Sequence, residues 1–274
     1  MVEPLHFVHI SDTHLGHLRD WVVLGNNPFA NLLQVVKAIN ALPTQPHFVI
    51  HTGDVANHDT EIAYQLAAEA FAQLNVPIYY ATGNHDIRAY MRRHLSMGPR
   101  EDVLGDAELN CYRFSYQDER FLVLDSQQPY DEAGHFGKVN QAQLDFIGRE
   151  VEGPQTPFTV FIHHSPVDLD STWYNREVGM LNGDDLHRAL LPAKDRLRGV
   201  FFGHVHRGTH THRDGIAYTS VGSTFCQLNL WPADEAVNFD QQHPPCFNLV
   251  TLHADRTIVK EHTIPRDPAD LPQT

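Results

Sequence analysis

Short apolar runs alternate along this chain with longer stretches in which apolar positions recur every third or fourth residue, and the two periods predict different elements. Leu5 to Ile10 is a strand-like run ending at Ser11-Asp12, and Asn31 to Leu42 carries Leu32, Val35, Val36, Ile39 and Leu42 at helical spacing. Phe48 to Ile50 predicts the next strand. Thr60 reads as the N-cap of a helix whose Ala63, Leu66, Ala67, Ala70 and Leu74 share one face. Ile78 to Ala81 is strand-like and Ile87 to Leu95 helical. Asn110 to Tyr116 and Arg120 to Asp125 form a hairpin around Gln117-Asp118-Glu119. Asn140 to Val151 is an amphipathic helix, Phe158 to Ile162 a strand, Asp184 to Leu191 a short helix and Gly199 to Phe202 a strand. The remainder is mainly β, over Thr209 to Arg213, Ile216 to Ser220, Phe247 to Leu252 and Thr257 to Thr263. Phe225 to Pro245 has weak periodicity and reads as an ordered loop or cap, and Pro265 to Thr274 as a frayed tail.

This alternation implies a layered α/β fold, in which ligands gather at the carboxyl ends of strands. Five polar motifs fall at such ends: Asp12-Thr13-His14, Gly53-Asp54, Gly83-Asn84-His85-Asp86, His163-His164 and Gly203-His204-Val205-His206. Alone, a D-x-H or H-x-H is a pair of polar residues on a strand end. Five in order, rich in Asp, Asn and His and free of thiolate, predict a two-metal centre for Mn, Fe, Zn or a mixed pair. Residues two apart in an extended strand end point the same way, so Asp12 and His14 are expected to reach one ion together and His204 and His206 to converge. Adjacent residues diverge. Asn84 is then expected to bind metal through its amide oxygen while His85 faces substrate, and only one of His163 and His164 to be a ligand. Asp54, the only carboxylate of its motif, is the natural bridge. Gly53, Gly83 and Gly203 would allow the sharp turns that leave the polar residues exposed. Asp86 would orient a motif residue or cap the following helix. His164 and Asn57 are candidate supports or substrate contacts, with plain packing as the alternative for His164.

The 274 residues, 42% hydrophobic and 20% charged, suit a soluble globular protein of one large domain, or of one domain plus a small appendage. The expected division is a catalytic domain over 1–223, a β extension or cap over 224–264 and a tail over 265–274. No apolar stretch is long enough to span a bilayer and no basic leader is visible, so a cytoplasmic protein is expected. A net charge of −14 without a Lys/Arg cluster argues against stable nucleic-acid binding. Small anionic substrates stay open, because two bound cations would make the site locally positive. Cys111, Cys226 and Cys246 read as buried apolar residues, with a Cys226–Cys246 disulfide as the one pairing to consider. Of 20 histidines, His6, His9, His47, His51, His58, His210 and His212 read as flanking strand or surface residues rather than ligands. Phe225, Trp231, Phe239 and Phe247 read as core or an oligomer contact, with a base-binding floor as the alternative. Tyr130, His135, Trp173 and Arg176 are candidate substrate contacts in long loops.

In this order the motifs resemble the calcineurin-like metallophosphoesterase family, whose pattern is D-x-H, G-D, G-N-H-[DE], a lone metal His and G-H-x-H; all are intact here between Leu5 and about Ser223. The resemblance implies a four-layer α/β/β/α sandwich of two mixed sheets flanked by helices. It implies one metal on Asp12, His14, Asp54 and His206, and a second on Asp54, Asn84, His163 and His204, with His85 toward substrate. Protein phosphatases of the family carry G-D-x-V-D-R-G and GNHE, whereas this chain has Gly53-Asp54-Val55-Ala56-Asn57-His58 and GNHD. With Ile10 to His14 and the H-H-x-P of His163 to Pro166, the chain is similar to the bacterial cyclic-nucleotide and glycerophosphodiester phosphodiesterase branch. Gly222 to Gln227 and Cys246 to Leu249 also look like the C-terminal part of its cyclic AMP phosphodiesterases. The expected activity is hydrolysis of a small phosphodiester, a 3′,5′-cyclic nucleotide first of all. Two cations about 3.5–4 Å apart would share a bridging hydroxide for in-line attack. Asn84 would help hold the phosphoryl oxygens, and His85 would serve the leaving alkoxide. A phosphomonoesterase or nucleotide pyrophosphatase on the same site is the competing enzyme, and a non-catalytic scaffold is disfavoured because every ligand position is filled. Analogy with the branch suggests a homodimer through the C-terminal β region.

Overall fold

The structure, a computed structural model, describes residues 3–57, 60–105, 109–129 and 134–265; His58, Tyr130 and the tail beyond residue 265 lie outside the described residues. The first half of the chain runs β1 (Leu5–Ile10), α1 (Pro28–Asn40), β2 (Phe48–His51), α2 (Glu61–Phe71), β3 (Ile78–Tyr80), α3 (Arg88–His94), β4 (Glu101–Asp102), β5 (Tyr112–Tyr116) and β6 (Glu119–Val123). The second half runs α4 (Gln141–Glu152), β7 (Phe158–Phe161), α5 (Thr172–Glu177), α6 (Gly183–Leu190), β8 (Leu197–Phe202), β9 (His210–Arg213), β10 (Ile216–Ser220), β11 (Gln227–Leu228), β12 (Phe239–Asp240), β13 (Cys246–Leu252) and β14 (Thr257–Thr263).

Strand side chains alternate between two surroundings, and that alternation builds the layers. One sheet has the order β14-β13-β1-β2-β3 and the other β4-β5-β6-β7-β8-β10-β9. Leu5, Phe7, Phe48, Ile50 and Tyr79 of the first meet Phe114, Phe121, Phe161 and Phe201 of the second in a shared, largely aromatic core. Phe7 sits at its middle, 5.5 Å from both Phe161 and Phe201 by ring centroids. The intervening residues face outward: Val8, Ile10, Val49 and Tyr80 pack under α1 to α3, and Leu122, Val160, Val200 and Phe202 under α4 to α6. The result is the four-layer α/β/β/α sandwich, with both sheets mixed. β1, β2 and β3 are mutually parallel, as are β6, β7, β8 and β10. Parallel strands joined by crossover helices end on one edge, so all five motifs leave the sheets together.

Local chemistry explains where element ends differ from the apolar pattern. α1 begins at Pro28, ahead of its periodic stripe, because the Asn27 side chain accepts from Ala30 N and Pro28 occupies the first turn. Thr60 holds the N-cap position of α2 without a side-chain cap bond. The hairpin is tighter than expected: Glu119 pairs with Tyr116, leaving a two-residue turn with Gln117 at φ 52°. α5 is a six-residue helix capped by Ser171, too short to show a period. The cap segment carries its own strand pair, β11 with β12, and β13 hydrogen-bonds along β1. Cys111, Cys226 and Cys246 are all buried and free, so the Cys226–Cys246 disulfide is not formed. Among the described residues no helix is long and apolar enough to cross a membrane.

Candidate metal centre

The backbone ladder between β1 and β2 continues beyond both strands. Asp12 N donates to Gly53 O, His14 N to Asp54 O and Leu15 N to Val55 O, each at 3.0 Å. Along these segments Asp12, His14 and Asp54 take φ of 57°, 46° and 58°, and His204 and His206 take 69° and 46°. Residues with side chains avoid this left-handed region, at a cost of about 1–3 kcal/mol each, and it recurs at functional sites. The i, i+2 pairs therefore converge through left-handed turns and not through the extended strand ends expected from their spacing. The glycine expectation is corrected too. Gly53 has φ 102°, but Gly83 and Gly203 do not enter that region. They are needed for close approach: a Cβ on Gly83 would collide with Asp54 N, and one on Gly203 with Ser11 Oγ. The polar residues so placed are mostly buried, not exposed, Asp12 and His163 fully so.

Each histidine is oriented by the proton it gives away. His206 Nδ1 donates to Cys226 O at 2.8 Å and His14 Nδ1 to Asn57 Oδ1 at 3.2 Å. In the neutral, metal-ligating form both Nε2 atoms carry lone pairs, and they face each other 3.0 Å apart. Asp12 Oδ1, buried and without a hydrogen-bond partner, lies 3.4 Å from His206 Nε2 and 3.8 Å from His14 Nε2. Lone pairs facing one another at such distances repel unless a cation or a proton lies between them. Asp54 gives Oδ1 to the His85 N–H at 2.8 Å, while its Oδ2 stands 3.6 Å from His14 Nε2 and 3.3 Å from His163 Nε2, between two clusters. On the second side, His163 Nδ1 donates to Thr52 O at 2.7 Å and its Nε2 faces Asn84 Oδ1 at 3.0 Å. His204 donates Nε2–H to Val178 O at 2.9 Å, which leaves Nδ1 as its free lone pair, and it lies close enough to His163 to share an ion. His164 has no lone pair to offer: Nδ1 takes the Ser126 hydroxyl at 2.8 Å and Nε2 donates to His135 O at 2.9 Å.

The carboxylates draw positive charge to this floor: against burial, Asp12 raises His206 well above its ordinary value. Burial opposes ionisation of Asp12, but His206 and His14 outweigh it and hold the carboxyl well below its ordinary range. His163 and His85 do the same for Asp54. Burial likewise opposes charge on His163, yet the Asp54 and Asp12 carboxylates push its imidazole up to about 9, a measure of how strongly this spot attracts positive charge. Burial, helped by neighbouring imidazoles, keeps His204 well below its usual value and lowers His164 to about 3, so both stay neutral. A neutral imidazole is the form that ligates.

Asp86 is neither a ligand nor a cap, since Ile87 occupies the N-cap of α3. Its carboxylate accepts the backbone N–H groups of Asp54, Val55, Ala56 and Gly83 at 2.8–3.3 Å and the Tyr64 hydroxyl at 3.2 Å. It ties the second motif loop to the third. Burial, with Asp54 beside it, pushes Asp86 up to about 7.

The two clusters floor a cleft of ≈ 340 Å³ whose opposite wall is apolar, formed by Leu24, Trp173, Phe225, Leu228, Val237 and Phe239. His85 enters it with Nδ1 donating to Asn57 O at 3.1 Å. Asn57 thus orients both His14 and His85. Trp173, on α5 and not in a long loop, and His135 line the cleft, whereas Arg176 is bound at the surface by Glu177 and Glu235. Phe225, buried as its core reading expects, and Phe239 line it too, while Phe247 is core and Trp231 lies outside at 59% exposure. His210 and His212 are exposed on β9, but His9 and His51 are fully buried. His51 supports the site from behind, accepting Gly53 N–H at Nδ1 and meeting Thr13 Oγ1 at Nε2, both at 3.2 Å. Sequence reading missed the carbonyls of Thr52, Val178 and Cys226 that orient the histidines, because a main-chain acceptor leaves no residue-type signal.

A buried Asp, Asn and His centre on the shared edge of a four-layer α/β/β/α sandwich defines a metallophosphoesterase. Residues 5–208 match the calcineurin-like phosphoesterase family, and the chain belongs to it. The family implies divalent metal ions, and the unpartnered Asp12 oxygen and facing imidazole lone pairs fit them. The chain is 26% identical to a 3′,5′-cyclic-nucleotide phosphodiesterase of Nostoc sp., covering 98% of this chain and 95% of that one. It is 27% identical to a glycerophosphodiester phosphodiesterase of Enterobacter lignolyticus, covering 87% of this chain and 84% of that one. A solved structure from Thermus thermophilus shares the fold, with TM-score 0.55 at 10% identity over 94% of this chain and 99% of that one.

Proposed function

We propose that this metal-dependent phosphodiester hydrolase works with two metal ions and that its substrate is a 3′,5′-cyclic nucleotide. One ion would be held by Asp12, His14, Asp54 and His206, the other by Asp54, Asn84, His163 and His204, drawn from Mn, Fe and Zn. The observation that carries the substrate reading is the cleft itself, an Asp/Asn/His floor beneath an apolar wall in ≈ 340 Å³. A nucleobase offers flat apolar faces to that wall while its phosphodiester reaches the floor, and the volume suits one small ligand. A glycerol group has no comparable surface to bury. No Lys or Arg lines the cleft among the described residues, so a monoester dianion would find no fixed side-chain cation, which favours the singly charged diester.

When bound, the ions supply Lewis-acid polarisation and an activated water for in-line displacement. Asp12 and Asp54 stay ionised and hold positive charge in place. Asn84 directs its amide oxygen to the second cluster, and Phe225 and Phe239 exclude water from the base side. His85, oriented by the Asn57 carbonyl, has Nε2 available to protonate the leaving alkoxide or stabilise its charge. The test is a panel of cyclic AMP, cyclic GMP, a glycerophosphodiester and 5′-AMP, with Mn²⁺ and metal analysis. Cyclic nucleotides are expected to give the highest kcat/KM. Preferred turnover of the glycerophosphodiester or the monoester overturns the substrate reading, and no turnover of any by metal-replete protein leaves a binding scaffold.

A further inference from the structure

A cleft histidine that belongs to none of the five motifs touches one of them at a decisive atom. His135 Nδ1 accepts an N–H of the Asn84 amide at 2.8 Å. The two ends of an amide have opposite chemistry: the oxygen can ligate a cation and the NH₂ cannot. With its NH₂ on His135, Asn84 presents Oδ1 to His163 Nε2 at 3.0 Å, on the second-metal side. The His135 ring is stacked on that of His85, with centroids 5.1 Å and planes 23° apart, which hinders it from rotating Nδ1 away.

The loop carrying His135 is pinned by the second histidine of the doublet. His164 donates Nε2–H to His135 O at 2.9 Å and is fixed at Nδ1 by the Ser126 hydroxyl. Gly137 lies so close that a Cβ there would collide with His164 Cγ. His163 and His164, whose rings meet edge to face 4.9 Å apart and do not diverge as expected of neighbours, are therefore both tied to Asn84, His163 directly and His164 through the His135 backbone.

We propose that His135 is a positioning residue that sets the Asn84 amide with its oxygen toward the second metal, and that His164 acts through the backbone of His135. The inference rests on the ligand role proposed for Asn84, so the test separates the two. Mn²⁺ binding is titrated by electron paramagnetic resonance in wild type and in His135→Ala, His135→Asn and His135→Phe. Thermal unfolding and turnover of bis(p-nitrophenyl) phosphate are measured on the same samples. Asn carries an acceptor oxygen close to where Nδ1 lies, while Phe keeps the ring and lacks the acceptor. Loss of the acceptor is expected to weaken the second Mn²⁺ by ~10-fold or more with a fall in kcat larger than the change in KM. His135→Ala and His135→Phe should share that loss, and His135→Asn should recover most of it. If His135→Phe binds the second ion like wild type, or His135→Asn does no better than His135→Phe, the positioning role is wrong. If wild type itself binds no second Mn²⁺, the ligand reading of Asn84 fails and takes this inference with it.

Discussion

Asn57 shows how much a single polar residue can organise at this site. Its side-chain oxygen takes the His14 Nδ1 proton and its carbonyl takes that of His85, so it aims one ring at a metal cluster and the other at the cleft. The two histidines are then expected to respond differently to loss of function. His85→Ala should keep its bound metal and lose turnover by ~10²–10⁴-fold. Asn57→Ala should lower metal affinity at the first cluster by ~10–100-fold, because His14 is no longer oriented. Metal analysis beside kinetics decides: metal loss in His85→Ala, or full affinity in Asn57→Ala, would reverse the assignments. The residue types were legible because Asp, Asn and His are scarce together at strand ends. Which nitrogen of each ring faces the cluster was not, since the carbonyls of Thr52, Val178 and Cys226 decide it.

At the scale of elements, the site depends on loops tied to one another by Asp86. Asp86 collects four backbone N–H groups from two loops. Asp86→Ala would leave buried donors without acceptors, at a cost of about 3 kcal/mol or more. The expected fall in Tm is roughly 6–12 °C, read by calorimetry. An unchanged Tm would mean that water replaces the carboxylate. Strong periodicity made Leu5–Ile10, Ile216–Ser220 and Thr257–Thr263 readable to the residue. Thr172–Glu177 and the β11–β12 pair were unreadable because so few residues cannot display a period, and they supply walls of the cleft.

For the molecule as a whole, the two sheets bring together groups that repel one another without a cation or a proton between them. Metal is therefore expected to stabilise the fold as well as permit turnover. Chelation should abolish hydrolysis and lower Tm, with Mn²⁺ reversing both. At free ion about 100 times Kd, each site contributes ~2.7 kcal/mol, or roughly 5–10 °C. A Tm indifferent to chelation and Mn²⁺ would count against the centre. Sequence by itself determined the family and the residue types of the candidate metal centre, because their order at strand ends needs no coordinates, and it determined the α/β alternation, because periodicity is local. Tertiary structure decided the rest. Left-handed turns, not strand alternation, make Asp12 and His14 converge; contacts between Ser126, His164, His135 and Asn84 span residues far apart in the chain; and an aromatic wall drawn from distant loops shapes the cleft. Such features depend on which surfaces pack together, and no local pattern encodes that.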